Sequence, residues 1–370
     1  MIKFIAGLAL FLTAFTVNGQ NTKAITIPMT AGGWQFPANG ATFLQYKGVP
    51  AVKILSDTGK VVLKDFNFTN GTIEFDVESL EPPFCGIYFR RQNNEETEYF
   101  YLRVERAGFP LAMDAIQYCP VIKNVTLWDM LPYYQGPAVI KKGDWNHIKL
   151  VVSGLQMLVY VNDMSRAALQ VPRLEGNTTA GGIAFDGKAV FANLVITPGE
   201  TNGLSPAEGF DPTYNDPRFL RQWLVNKPVA LPFGKEVAGA DLPGAATKWD
   251  SITAERRGLV NLTRLFGIDK GRRIVWIKTT LKSDKEQVRK MEMGFSDEVW
   301  VVINGKLAYM DKNWFGQPIM KEPEGRCALE NTSFMLPLKA GDNELLVGVV
   351  NFFYGWGIIA RLDKLDGISF

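Results

Sequence analysis

The 370-residue chain has a single histidine, three cysteines and almost no net charge, with 40 basic against 38 acidic residues. The lone His147 excludes multi-histidine zinc sites, and any Ser-His-Asp or Cys-His device would have to use it. In GDWNHIKLVVSG the residues Ile148, Leu150 and Val152 alternate as a core face, which turns His147 to the other side of a strand. Cys85, Cys119 and Cys327 are an odd set. A Cys85–Cys119 bridge requires neighbouring strands, and buried free thiols are the alternative for each. A formal charge of +2 gives no electrostatic reason to expect nucleic acid or an anionic membrane as partner. Long apolar runs are missing too. The run from Phe4 to Val17 is too short to span a bilayer, and no later stretch reaches the roughly 18 uninterrupted apolar residues of a membrane helix.

What is present points outward from the cell. Lys3, the apolar run and Asn18-Gly19-Gln20 have the order of a secretory leader, so residues 1–20 are expected to be removed and the protein to be secreted or periplasmic. Helical periodicity is scarce. Short alternating runs such as GTIEFDV, CGIYFRR, EYFYLRVE, HIKLVVSG, RIVWIKTTL and NELLVGVVN are separated by Gly, Asn, Asp and Pro. This pattern predicts an all-β protein of two β-sandwiches in tandem, 21–198 and 219–370. PGETNGLSPAEGFDPTYNDP lies between them as a linker over 199–218, with a short helix expected at Pro217–Val225.

Parity assigns faces. Ile73, Phe75 and Val77 point to a core and Glu74, Asp76 and Glu78 away from it. Tyr88 and Arg90, and Tyr99, Tyr101 and Arg103, likewise face away from the core. If these three runs are antiparallel neighbours, carboxylates, arginines and tyrosines share one surface. Aromatic faces stack on the apolar side of a pyranose and charged planar groups bind its hydroxyls, so the surface suits oligo- or polysaccharide. A solvated face laced with cross-strand pairs is the other reading. The loop MDAIQYCPVIKNVTLWDMLPYYQGP adds Asp114, Gln117, Tyr118 and Trp128 as candidate ligand contacts.

The order GTIEFDV, GIYFRRQ, EYFYLRVE, DAIQYCPV, GDWNHIKLVVSGLQMLVYVND and GGIAFDG resembles a concanavalin A-like jelly roll of the laminin G and glucanase type. In style it is close to the domain associated with 3-keto-disaccharide hydrolases. The resemblance implies a concave sheet that binds carbohydrate. In family 16 glycoside hydrolases the IEFDVE pattern carries nucleophile and acid/base, which map to Glu74 and Glu78; with Asp114 these are the catalytic candidates. A retaining pair sits about 5–5.5 Å apart, whereas positions i and i+4 of a flat strand start about 13 Å apart. From about Phe219 the chain resembles a galactose-binding-like jelly roll, carried by WIKTTLKSDKEQVRKMEMGFSDEVWVVINGKLAYM and LPLKAGDNELLVGVVNFFYGWGIIARL. Trp314, Phe315, Tyr354 and Trp356 are its candidate contacts. Asp297 and Asp311 are the acids for a calcium ion of the kind such modules hold, although no calcium loop is recognisable. The resemblances imply an exported glycan-binding protein. A glycoside hydrolase and a structural adhesion component are the alternatives.

Overall fold

The computed structural model describes residues 23–56 and 59–370, so the leader expected at 1–20 lies outside the described residues. The chain is all-β. Its one α-helix among the described residues is the five-residue Leu262–Phe266. Residues 25–198 form two antiparallel sheets. The first has the strand order Leu169–Val171, Gln156–Val161, Asn146–Ser153, Gly71–Ser79, Ala189–Pro198, Val49–Ile54, Ala41–Tyr46. The second runs Val125–Thr126, Ile116–Ile122, Thr97–Arg103, Phe84–Arg91, Gly182–Asp186, Val61–Leu63, Trp34–Gln35. Their inner faces interdigitate. Phe75 and Phe191 of one sheet meet Phe185 of the other at ring separations of 5.3 and 4.2 Å. Each such fully buried ring contributes about 1.5–3 kcal/mol by leaving water.

The expected adjacency of all three polar runs fails at its first step. Gly71–Ser79 pairs with Asn146–Ser153 and Ala189–Pro198, not with Phe84–Arg91. The connection EPPF holds Pro82 and Pro83, which lack the N–H groups a hairpin ladder uses, and the chain crosses here to the opposite sheet. Phe84–Arg91, Thr97–Arg103 and Ile116–Ile122 are true neighbours, with Tyr88 opposite Tyr99, Tyr99 opposite Cys119 and Tyr101 opposite Gln117.

Residues 222–369 build a second sandwich. Its larger sheet runs Asp250–Thr253, Gln222–Val225, Arg273–Ser283, Gly341–Asn351, Glu298–Ile303, Lys306–Lys312, and the smaller one Leu259–Asn261, Gly357–Leu362, Gln287–Ser296, Thr332–Leu338. The helix expected at Pro217–Val225 is absent. Trp223 and Val225 alternate with exposed neighbours, the period of two that makes Gln222–Val225 a strand. Asn304 and Gly305 both take positive φ, 50° and 77°, as a two-residue hairpin demands. The 199–218 segment is pinned rather than loose: Leu155 N–H donates to Pro206 O at 2.9 Å and Gly209 N–H to Pro172 O at 2.7 Å. Phe219, Leu259, Cys327 and Ile359 of the second half pack into the core of the first, so the sandwiches meet through apolar contact.

Candidate ligand pocket between the sandwiches

The carboxylate row and the tyrosines lie on different sheets. Glu74, Asp76 and Glu78 share the outer face of the first sheet, where His147 stands opposite Asp76. His147 Nδ1 is 2.7 Å from Asp76 Oδ1 and its Nε2 is 3.4 Å from Glu74 Oε2. Lys47 Nζ lies 2.6 Å from Glu78 Oε2, and Tyr46 donates its hydroxyl to the other oxygen. Arg90 and Arg103, expected beside these acids, are on the opposite sheet. Burial raises the Asp76 carboxyl, but hydrogen bonds from His147 and Asn193 outweigh it and leave the group below the ordinary carboxylate value. The hydrogen bond to Asp76 is the main reason that the His147 pKa rises. Glu74 and Glu78 are held by different partners, His147 for the one and Lys47 with Tyr46 for the other.

The outer face of the second sheet is quite different. Tyr88 and Tyr99 stack at 4.0 Å with planes 7° apart, and Tyr99 stacks on Tyr101 at 5.0 Å. Their faces are therefore spent on one another, and they present edges and hydroxyls. Tyr101 donates to Gln117 Oε1 at 2.8 Å, Arg103 donates to the same oxygen, and Gln117 donates to Trp128 O at 2.8 Å. Tyr88 donates to Asp186 Oδ2 at 2.8 Å. Asp114 is gripped by Arg106 through two bonds of 3.0 and 2.9 Å. Burial pushes the Asp114 carboxyl up, yet the Arg106 hydrogen bonds and the Arg103 charge bring it below its usual range.

This face is roofed by the second sandwich. Phe315, Glu324, Arg326, Phe353 and Tyr354 enclose, with the tyrosines, Arg103 and Trp128, a hollow of about 350 Å³. Trp128 meets Phe315 edge-on at 4.8 Å and Tyr354 at 5.7 Å, while Arg326 lies 5.5 Å over its ring. The Phe352–Gly355 loop is held by one buried carboxylate from each sandwich. Asp297 Oδ2 accepts from the backbone N–H of Phe352 and Phe353 at 2.5 and 2.7 Å, and Asp129 accepts from Gly355 N–H at 3.1 Å. Burial raises both, Asp297 to about 8 and Asp129 well above its usual value, the latter also by the charge of Asp297. A β-carbon at Gly355 would lie 2.4 Å from Met130 Cγ, so only glycine lets the loop come this close. Arg326 Nε, buried at the hollow, has no hydrogen-bond partner among the described residues.

The expected contacts thus divide. Tyr88, Tyr99, Tyr101, Arg103, Asp114 and Trp128 line the hollow, and Gln117 lies fully buried beneath them. Arg90 does not: φ of 50° there, beside a bulge in the pairing with Gly182–Asp186, breaks the alternation. Its guanidinium donates inward to Thr69 O, Asn70 Oδ1 and Gly154 O. Tyr118 is the inward neighbour of Gln117, fully buried, donating to Glu98 Oε2 at 2.6 Å. Of the second half's candidates, Phe315 and Tyr354 reach the hollow, Trp314 stacks on Phe352 at 4.8 Å, and Trp356 is core. Phe84, Asp186, Arg326 and Phe353 line it too and were not singled out by the sequence; the adjacent rings of NFFYGWG were the signal for Phe353. All three cysteines are free and buried, and Cys85 and Cys119 belong to opposite faces of their sheet. Asp311 pairs with Lys321 at 2.7 Å, and among the described residues no three His, Cys, Asp or Glu cluster to hold a metal. A larger hollow of about 600 Å³ elsewhere is walled mainly by arginines and carboxylates, several of them bonded to each other, and offers one aromatic side chain, Tyr214.

No family model and no curated protein matches this chain. Among solved structures, it is similar to the carbohydrate-binding module CBM66 from Bacillus subtilis, at 14% identity over 45% of this chain and 96% of that one, with a TM-score of 0.34. A Bacillus licheniformis β-glucanase matches at 9% identity over 48% and 99%, TM-score 0.33. The Caenorhabditis elegans galectin LEC-6 matches at 10% identity over 43% and 96%, TM-score 0.27. These likenesses are faint, and the assignment as β-sandwiches rests on the strand pairing itself.

Proposed function

We propose that this chain is an exported carbohydrate-binding protein whose ligand occupies the hollow between the two sandwiches. One observation carries the reading: tyrosine hydroxyls, arginines and carboxylates dominate the first sandwich's side, beside Trp128 and Phe84, and the exposed rings of Phe315, Phe353 and Tyr354 face them from the second, beside Glu324 and Arg326. That combination matches a sugar, whose hydroxyls need donors and acceptors while its C–H face packs on rings. The second sandwich, read as galactose-binding-like, is then half of the site. The export part of the proposal rests on the leader-like order of Lys3, the apolar run and Asn18-Gly19-Gln20 in the sequence.

The carboxylates favour binding over hydrolysis. Glycoside cleavage needs a protonated acid beside an ionised partner, and Asp114 is held ionised by two arginines. Asp186 accepts the Tyr88 hydroxyl, and Glu74 and Glu78 lie on another sheet. The test is a glycan array with mass spectrometry of the recovered sugars. Retention without product, lost on Tyr354→Ala, is the expected result. Product release would make the chain a hydrolase, and retention of no glycan would sink the proposal.

A further inference from the structure

The tyrosines of the floor cannot supply stacking, because their faces cover one another and the rings are only 3–6% exposed. Open rings are elsewhere. Phe315, Phe353 and Tyr354 are 43%, 37% and 40% exposed on the roof. They do not end the aromatic surface. Phe352, the neighbour of Phe353, is 41% exposed, stacks on Trp314 at 4.8 Å and meets Phe233, itself 64% exposed, at 5.7 Å. The roof segments therefore carry two ring groups: Phe315, Phe353 and Tyr354 line the hollow, and their sequence neighbours Trp314 and Phe352 form a second group outside its lining. Lys312 stands 5.3 Å over Trp314, adding a donor beside the outer group. Exposed large aromatic groups in contact are uncommon on a soluble surface and mark contact sites.

From this surface, which rests on the carbohydrate reading above, we infer that the ligand is a polymer rather than a single sugar. One chain lies with some units in the hollow and others across the roof onto Phe352, Trp314 and Phe233. A pyranose is about the size of one aromatic ring, so a single sugar seated in the hollow does not also cover Phe352, Trp314 and Phe233, none of which lines it. The occupant of the outer rings is thus the continuation of the chain held in the hollow. Charge agrees with a neutral or weakly charged glycan: Arg326 is paired with Glu324 at 2.6 Å, Arg106 with Asp114, and the ion pair of Lys312 with Glu236 closes the outer edge.

The experiment is a calorimetric titration of the full mature chain with gluco-, xylo- and manno-oligosaccharides of increasing length, repeated on the double variant Phe233→Ala/Phe352→Ala. Both side chains are exposed, so the variant is expected to fold, and its affinity for the shortest binding oligomer is the control. The expected result is affinity that rises with length in the wild type, a rise that the double variant loses by about tenfold while short oligomers bind unchanged. Affinity that is independent of length, or a variant weakened equally for short and long chains, overturns the inference and leaves the carbohydrate reading standing. No binding by any oligomer overturns both.

Discussion

The two outer faces of the first sandwich carry the same kind of sequence, alternating polar residues on a strand, and meet different fates. On the first sheet Glu74 and Asp76 stay partly exposed beside His147, and Glu78, itself only 5% exposed, is met by Lys47 and Tyr46 at the edge of the same face. On the second sheet Tyr88, Tyr99, Tyr101 and Arg103 are covered by the second sandwich and become nearly as buried as the core. Polar pattern alone does not make a site. What distinguishes the second face is a roof that excludes water and adds ring faces to a polar floor, so that each hydrogen bond made there is worth more than on an open sheet.

The largest effect that separates the faces is expected at Arg103. Arg103→Met removes the donor to Gln117 Oε1 and to Asp114 O and one of the two charges beside Asp114, while Tyr101 still donates to Gln117 and Arg106 still holds the carboxylate. Losing these charge-assisted hydrogen bonds costs about 1.5–3 kcal/mol, so urea unfolding should show a fall in midpoint together with lost glycan binding. Next comes the roof. Phe353→Ala should weaken binding by about tenfold, roughly 1.4 kcal/mol, with little change in unfolding because the ring is over a third exposed; titration calorimetry beside thermal unfolding checks both.

The third effect is one of pH. Asp297, raised to about 8 by burial, binds its proton more tightly in the folded chain than in the unfolded one. Its contribution is fully present below the ordinary value near 3.8 and is lost as pH rises through about 8. Asn keeps an oxygen for Phe352 N–H and Phe353 N–H without a charge. The stability of Asp297→Asn relative to wild type should therefore improve from pH 5 to pH 8, and a parallel pair of pH profiles would contradict this.

The smallest effects belong to the open face. Glu74→Gln should leave binding unchanged and move stability by less than about 1 kcal/mol, as exposed ion pairs do. His147, whose pKa is raised by its bond to Asp76, adds stability below its unfolded value near 6.5 that fades as pH rises above the folded one. His147→Asn should remove that slope, read as a difference in melting temperature between pH 5.5 and pH 8.

Much of this was legible in the sequence, and the illegible part has a physical cause. Parity placed Ile73, Phe75 and Val77 in the core and Tyr99, Tyr101 and Arg103 on the side away from it, because side chains alternate whatever the strand's neighbours. It failed at Arg90, where a positive φ interrupts the alternation; Gln117 and Tyr118, read together as loop contacts, lie on a strand that turns Gln117 to the tyrosine side and Tyr118 to the core. Pairing was the harder matter. Nothing local in GTIEFDV says that its partners are the 146–153 and 189–198 strands, since sandwich pairing is non-local. The roof was least visible of all: Asp129 holds Gly355 across 226 positions, a contact no window of sequence contains.

The most direct test is a comparison of Tyr354→Ala and Glu74→Gln against wild type in titration calorimetry with one glycan that the wild type binds. Lost or much weakened binding in Tyr354→Ala and unchanged binding in Glu74→Gln is the result this account predicts. Intact binding in Tyr354→Ala with loss in Glu74→Gln would place the ligand on the open carboxylate face and contradict it.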